Sequence, residues 1–243
     1  MSREAVQPAS LSRIAQEVTN CRRCPRLVDW REQVAETKRA SFREHEYWGK
    51  PVTAIGDPAA RIAVVGLAPA AHGGNRTGRI FTGDRSGEWL FRALWKAGLA
   101  SQPQSVASDD GLQLSDCWVT AAVRCAPPQN RPTPLERDNC AAFLQAELAA
   151  LESLRAVICL GAFAWDATLR VLDAPRPRPK FHHGAQVSLS PDTSETADGQ
   201  PGRQLSLIGC YHVSQQNTFT GRLTEPMLDA VVSQALELAR QPQ

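Results

Sequence analysis

Ile62-Ala63-Val64-Val65 runs straight into Gly66-Leu67-Ala68-Pro69-Ala70-Ala71-His72-Gly73-Gly74-Asn75-Arg76-Thr77-Gly78-Arg79-Ile80-Phe81-Thr82-Gly83-Asp84, and this junction decides how the chain is read. The first four residues form an apolar run, the pattern of a strand buried on both faces. A long loop of Gly, Pro and Ala follows. Small residues leave its backbone bare, so a ligand can approach closely. Loops of this kind commonly open with a carboxylate or a nucleophile, but here that position holds Ala68. The chemistry is therefore expected from other residues.

Outward from this junction, strand and helix signals alternate. Ser10 opens a short helix with Leu11, Ile14 and Val18 on one face, which ends at the turn Cys21-Arg22-Arg23-Cys24-Pro25. An amphipathic stretch from Asp29 to Lys38 precedes a loop carrying His45, Tyr47 and Trp48. The first strand is read as Arg61 to Leu67, and Ser86 is expected to cap a helix running through Gly98. The second strand is Cys117 to Arg124. Thr133-Pro134-Leu135-Glu136 predicts a helix start, with Thr133 as N-cap, Pro134 in the first turn and Glu136 closing a capping box. That helix is expected to reach about Leu151. Ala156 to Leu160 is the third strand, Phe163 to Leu172 a helix, Gln204 to Tyr211 a further strand and Pro226 to Arg240 a closing helix. The polar stretch Ser190 to Arg203 reads as a surface hairpin or insertion.

This alternation predicts an α/β fold with a mostly parallel sheet and helices on both faces, because parallel neighbours need crossover connections. Ligands bind such sheets outside the carboxyl ends of the strands. The loops Ala68 to Asp84, Cys125 to Arg131 and His212 to Arg222 are expected to converge there.

The 243 residues, 42% hydrophobic and 21% charged, describe an ordinary globular chain, for which one domain is the default. No apolar run approaches the roughly 20 residues of a membrane span, and Met1-Ser2-Arg3-Glu4 lacks a signal-peptide core. A cytoplasmic monomer with no membrane partner is expected. The net charge of +2 is too weak to argue for nucleic acid unaided. Seven cysteines without a secretion signal point to metal ligation or core burial. Cys117, Cys159 and Cys210 lie in or beside apolar strand-like runs and read as core residues. Cys21, Cys24, Cys125 and Cys140 lie among polar residues, prolines or on a helix. Four thiolates suit tetrahedral zinc or a [4Fe–4S] cluster, and one tight pair with one wide pair favours the cluster. Zinc and free core cysteines are the alternatives.

The chain resembles the uracil-DNA glycosylase superfamily, and within it the fifth family, the type-b iron–sulfur glycosylases. The residues that carry the resemblance are Gly66 to Gly73, Arg76-Thr77-Gly78-Arg79, Phe81-Thr82-Gly83, Val123-Arg124-Cys125-Ala126-Pro127-Pro128 and His212-Val213-Ser214-Gln215-Gln216-Asn217. The type-a relatives open the first loop with Gly-Glu-x-Pro-Gly, which is absent here. The resemblance implies a three-layer α/β/α sandwich formed as one domain over residues 1–243, with a cysteine-bearing segment, 10–50, stapled to it. It also implies a [4Fe–4S] cluster on Cys21, Cys24, Cys125 and Cys140, and excision of uracil and other deaminated bases such as hypoxanthine from DNA. Ala68 stands where other families carry a water-activating Asp or Asn.

By the same resemblance, His212 and Asn75 are the catalytic candidates. Ala68, Phe81, Asn130 and Asn217 are the base-binding ones. An extruded base needs a π-face and a reader for its edge. Phe81 supplies the first, or merely anchors its loop. Asn130 supplies the second, or merely closes a proline-rich turn. His212 can donate to O2 of the leaving uracil, while Asn75, backbone groups or Asp84 hold the water. Arg76, Arg79, Gln215, Gln216 and Arg222 are expected to contact DNA, with Arg85, Arg124 and Arg131 nearby, and the loop from Gln215 to Arg222 is a candidate to enter the duplex. The rival readings are a non-catalytic iron–sulfur module that binds damaged DNA and a zinc-stapled hydrolase of free nucleotides.

Overall fold

Alternation along the first strand sends Ile62 and Val64 to one side of the sheet and Ala63 and Val65 to the other, and all four are fully buried. Both faces must therefore be covered, which calls for three layers. The computed structural model, which describes residues 10–190 and 203–241, shows them. The strands are β1 (Ile55–Gly56), β2 (Ile62–Gly66), β3 (Cys117–Ala121), β4 (Ala156–Leu160), β5 (Gln186–Leu189) and β6 (Leu205–Cys210). The helices are α1 (Leu11–Thr19), α2 (Pro25–Thr37), α3 (Gly74–Thr77), α4 (Arg85–Lys96), α5 (Pro134–Ala150), α6 (Ala162–Val171), α7 (Gln215–Phe219) and α8 (Glu225–Arg240).

The sheet order is β1-β3-β2-β4-β6-β5. β3, β2, β4 and β6 are parallel, and the short edge strands β1 and β5 run antiparallel to their neighbours. On one face, Ile62, Val64, Val119 and Ile158 pack under Leu90 and Leu94 of α4 and Leu228 and Val232 of α8. On the other, Val65, Val157 and Leu207 pack under Leu144 and Leu148 of α5 and Trp165 of α6. Each fully buried Leu or Val contributes about 1.5–3 kcal/mol. Cys117, Cys159 and Cys210 lie in these two cores, as expected.

The helix signals hold at most ends. Thr133 Oγ1 accepts from Glu136 N at 3.2 Å while Glu136 Oε2 accepts from Thr133 N at 2.7 Å, the predicted capping box. Ser86 is not a cap. Asp84 takes that role, its Oδ1 accepting from Gly87 N at 3.0 Å. α2 begins at Pro25, not near Asp29, since a proline fits the first turn of a helix. The stretch from Ala100 to Asp116 is tied to the glycine-rich loop: Ala100 bridges Leu114, and Ser105 O accepts from Gly83 N. Of the polar stretch Ser190 to Arg203, residues 191–202 lie outside the described residues. Among the described residues no helix is long and apolar enough to cross a membrane.

From β2 the chain crosses to β3 on one side, and from β4 it crosses to β6 on the other. The two connections diverge, so a crevice opens outside the carboxyl ends of β2 and β4, where such sheets bind ligands.

Candidate active site

Two glycines floor this crevice. Gly66 ends β2, and a Cβ there would lie 2.5 Å from Cζ of Phe81, so the missing side chain lets the Phe81 ring lie on the strand end. Gly161 follows β4 at φ +91, and a Cβ there would meet the Cβ of His212 at 3.3 Å. The structure thus sets Phe81 and His212 side by side, with ring centroids 6.5 Å apart and planes inclined by 34°. Phe81 holds φ +52, a left-handed conformation that is rare for a bulky residue and costs about 1–3 kcal/mol. Gly87 leaves room for it, since a Cβ there would lie 1.7 Å from the Phe81 carbonyl oxygen. Glycines thus make room for Phe81 at both ends, Gly66 beneath its ring and Gly87 beside its carbonyl.

His212 follows directly on β6 and Tyr211. Burial pushes its imidazole down to about 4, so the ring is neutral at physiological pH and carries one N–H donor. Asn217 Nδ2 donates to the His212 carbonyl at 2.8 Å, which fixes the backbone that carries the ring. Asn217 therefore touches the histidine's main chain, and its role is positional.

The rest of the glycine-rich loop is locked inward. Asn75 is completely buried and its Nδ2 donates to the Arg31 carbonyl of α2 at 3.1 Å. Its Oδ1 is shut away from solvent without a partner. Through this bond Asn75 anchors the loop to α2. Arg76 is 8% exposed. Its Nε donates to the His72 carbonyl at 2.8 Å, one Nη donates to the Gly83 carbonyl at 3.0 Å, and its guanidinium lies 4.1 Å from the centre of the Phe42 ring. Arg79 is 6% exposed and pairs with Asp110 at 2.7 Å. Against the effect of burial, Arg79 and the amides of Leu112, Val106 and Ala107 hold the Asp110 carboxyl down to about 2. Arg124 is buried against Glu147 at 2.7 Å. The expectation that Arg76, Arg79 and Arg124 meet DNA is corrected on this ground: their charges are already spent inside. Arg85, Arg131 and Arg222 are the exposed members of the expected set.

The last loop is the opposite. It contains α7, on which Gln215 and Gln216 are exposed, and Phe219 is 67% exposed with the Arg85 guanidinium 4.6 Å from its ring centre. Arg222 lies over Tyr211 at 4.5 Å. Phe219 was not singled out in the sequence, although it is the one apolar residue between Gln215 and Arg222. Asn130 is exposed on the turn Pro128–Asn130 at φ +55, and its amide N donates to the Pro127 carbonyl, so it does close the turn. Ala68 is half-buried and packs against Cys24, Leu27, Val123, Cys125 and Cys140.

Cys21, Cys24, Cys125 and Cys140 line one small pocket, together with Leu27, Arg124 and Asn139. Among the described residues no three of His, Cys, Asp and Glu stand close enough to share a single ion. The four side chains surround a space instead of meeting at a point. Donors point at the sulfurs: one Arg31 Nη lies 2.9 Å from Cys125 Sγ, and Asn139 Nδ2 lies 3.4 Å from Cys24 Sγ. Burial pushes the Cys125 thiol up to about 12 and raises that of Cys140, so these sulfurs ionise only beside positive charge.

Residues 53–236 match the family described as the uracil DNA glycosylase superfamily. Among the most similar relatives is a protein of Mycobacterium bovis named "Type-5 uracil-DNA glycosylase", 49% identical over 224 residues that span 91% of this chain and 79% of the relative. A Thermus thermophilus protein of the same name is 48% identical over 224 residues, 92% of this chain and 96% of its own length. One from Mycobacterium leprae is 47% identical over 232 residues, 95% of this chain and 96% of its own. With these matches, the crevice floored by Gly66 and Gly161 and the ring pair seated on it take their place in a known lineage: the chain belongs to the uracil-DNA glycosylase superfamily, in its type-5 branch.

Proposed function

We propose that this protein is a monofunctional DNA glycosylase that hydrolyses the N-glycosidic bond of uracil in DNA and so initiates base-excision repair. Its relatives' names support the activity, and the pairing of Phe81 with a neutral His212 over two glycines is the observation that carries it on this chain. The target base leaves the duplex, since no side chain can reach its glycosidic bond inside the stack. Phe81 offers its face to the extruded ring, and Asn130, held out on its turn, reads the base edge. As the bond to C1′ lengthens, charge builds on the base oxygen next to it. The His212 N–H donates to that oxygen, and a neutral imidazole does so without surrendering its proton to an already anionic group. Water then adds its hydroxyl to the oxocarbenium-like C1′ and its proton leaves to solvent or base.

In this reading the backbone of the glycine-rich loop, with Ala68 at its head, holds that water. Asp84 takes no part in it in this reading: its Oδ1 caps α4, and burial raises its carboxyl. A dissociative reaction asks little of the water, so an alanine at position 68 suffices. Gln215, Gln216, Phe219 and Arg222 face the DNA, Phe219 as the wedge that fills the gap left by the base. Hypoxanthine and other deaminated bases belong to the same substrate class.

The cysteine site fits a [4Fe–4S] cluster: four sulfurs around one cavity, with Arg31 and Asn139 as donors to them. When bound, the cluster supplies a covalent staple between the N-terminal segment and the turn after β3. α1 already packs on α5 through Ile14, Val18 and Phe143, so we read residues 10–50 as part of one domain with the rest. We place this activity in a cytoplasmic monomer. A panel of duplexes, each with one modified base, scored for abasic-site formation tests the reading. Free uracil should appear from the uracil duplex; tight binding with no release would favour a non-catalytic damage-binding module.

A further inference from the structure

Among the described residues four arginines are buried with side chains anchored in the interior, and three of them have an evident balance for their charge. Arg79 faces Asp110 and Arg124 faces Glu147, both carboxylates being buried themselves. Arg76 is held by two carbonyls, an aromatic face and the field of Asp84. Arg31 is different. Its side chain is 2% exposed, and the carboxylate nearest to it, Glu32, stands 3.7 Å away with a side chain 43% exposed. Its guanidinium instead donates to Cys125 Sγ at 2.9 Å and to the Cys21 carbonyl at 3.4 Å, while its Nε is buried without a partner. Glu32, largely in solvent at that distance, compensates the buried cation only in part, and the guanidinium's closest contact points to further negative charge on the sulfur side. From the other end of the same residue, the Arg31 carbonyl accepts from Asn75 Nδ2, the anchor of the glycine-rich loop.

We propose that Arg31 is a positioning residue that couples the two sites: its guanidinium balances the thiolate charge of the four-cysteine centre, and its carbonyl ties α2 to the loop that carries Phe81. A filled centre draws Arg31 in and holds Asn75. An empty one leaves the arginine unbalanced and frees the loop. The proposal rests on the cluster reading above, and its test keeps the two apart.

The test uses the full-length holoprotein purified without air, as wild type, Arg31→Gln and Arg31→Lys. The first readout is the rate at which the cluster's visible absorbance is lost in air, and the second is amide hydrogen exchange over residues 73–78. Arg31→Gln should lose absorbance several-fold faster and raise exchange over 73–78 by about tenfold, with β4 unchanged. Arg31→Lys, which keeps the charge, should lie nearer wild type on both. Equal decay in Arg31→Gln and wild type, or unchanged exchange over 73–78, overturns the coupling. So does Arg31→Lys failing as badly as Arg31→Gln, because packing alone would then explain both. If Arg31→Gln does not fold, the lysine variant against wild type decides by the same criterion. A colourless wild type that still releases uracil would overturn the cluster reading and this proposal with it, but not the glycosylase.

Discussion

The two loops that meet over the crevice are built on opposite plans. The glycine-rich loop after β2 turns its polar side chains inward: Asn75 to α2, Arg76 to backbone carbonyls, Arg79 to Asp110. The loop after β6 turns most of its side chains outward, with Gln215, Gln216, Phe219 and Arg222 in solvent, while Val213 is buried in the core and Asn217 reaches back to hold His212. A rigid loop can keep Phe81 in a strained conformation, which a mobile one would relax. An exposed loop can follow the shape of DNA, at the cost of order. In the proposed reading, base capture falls to the first loop and DNA engagement to the second.

The largest effect that separates them is on stability. Arg79→Ala removes the ion pair with Asp110 and the bonds to Thr82, Ser105 and Ser108, leaving Asp110 only its three backbone amides, and should cost about 2–3 kcal/mol in a denaturant titration, whereas Arg222→Ala should cost less than about 0.5. Similar midpoints for the two variants would erase the distinction. Next in size is Phe219→Ala, expected to slow uracil release from duplex DNA by about tenfold with little change on single strands, because a wedge matters only where a stack must be opened. Equal losses on both substrates would make Phe219 an ordinary contact residue.

The smallest effect is a missing one. His212 is held at about 4 against an ordinary 6.5, so it stays neutral in the folded enzyme across that interval. Base release should therefore show no inflection near 6.5 attributable to this ring, and an acid limb centred there would contradict the neutral donor. The same depression acts on folding with a definite sign. Between 6.5 and 4 the unfolded chain gains a proton that the folded ring refuses, so this residue lowers stability as pH falls.

Much of this was legible in the sequence, for identifiable reasons. The parallel strands announced themselves because burial on both faces leaves continuous apolar runs such as Ile62 to Val65 and Ala156 to Leu160. Thr133 and Glu136 marked a helix start because capping is local chemistry. The edge strands β1 and β5 were not visible, being only two and four residues long and partly exposed. Phe81 and His212 were found through the motifs around them, but their dependence on Gly66 and Gly161 is a matter of distances across the sheet. Arg76, Arg79 and Arg124 are buried where their charge suggests DNA contact, because sequence records charge and not direction. Arg31 did leave a signal, since Leu27, Val28, Arg31 and Val34 share one helical face and an arginine in that company is buried.

The claim on which the others depend is that His212 stabilises the departing base and does not simply help to bind DNA. Single-turnover release of uracil from a duplex by His212→Ala, with DNA affinity measured alongside, tests it most directly. Release should fall about a hundred- to a thousandfold while affinity stays within a few-fold of wild type. Near-normal release, or a loss matched by an equal loss of affinity, would contradict the account.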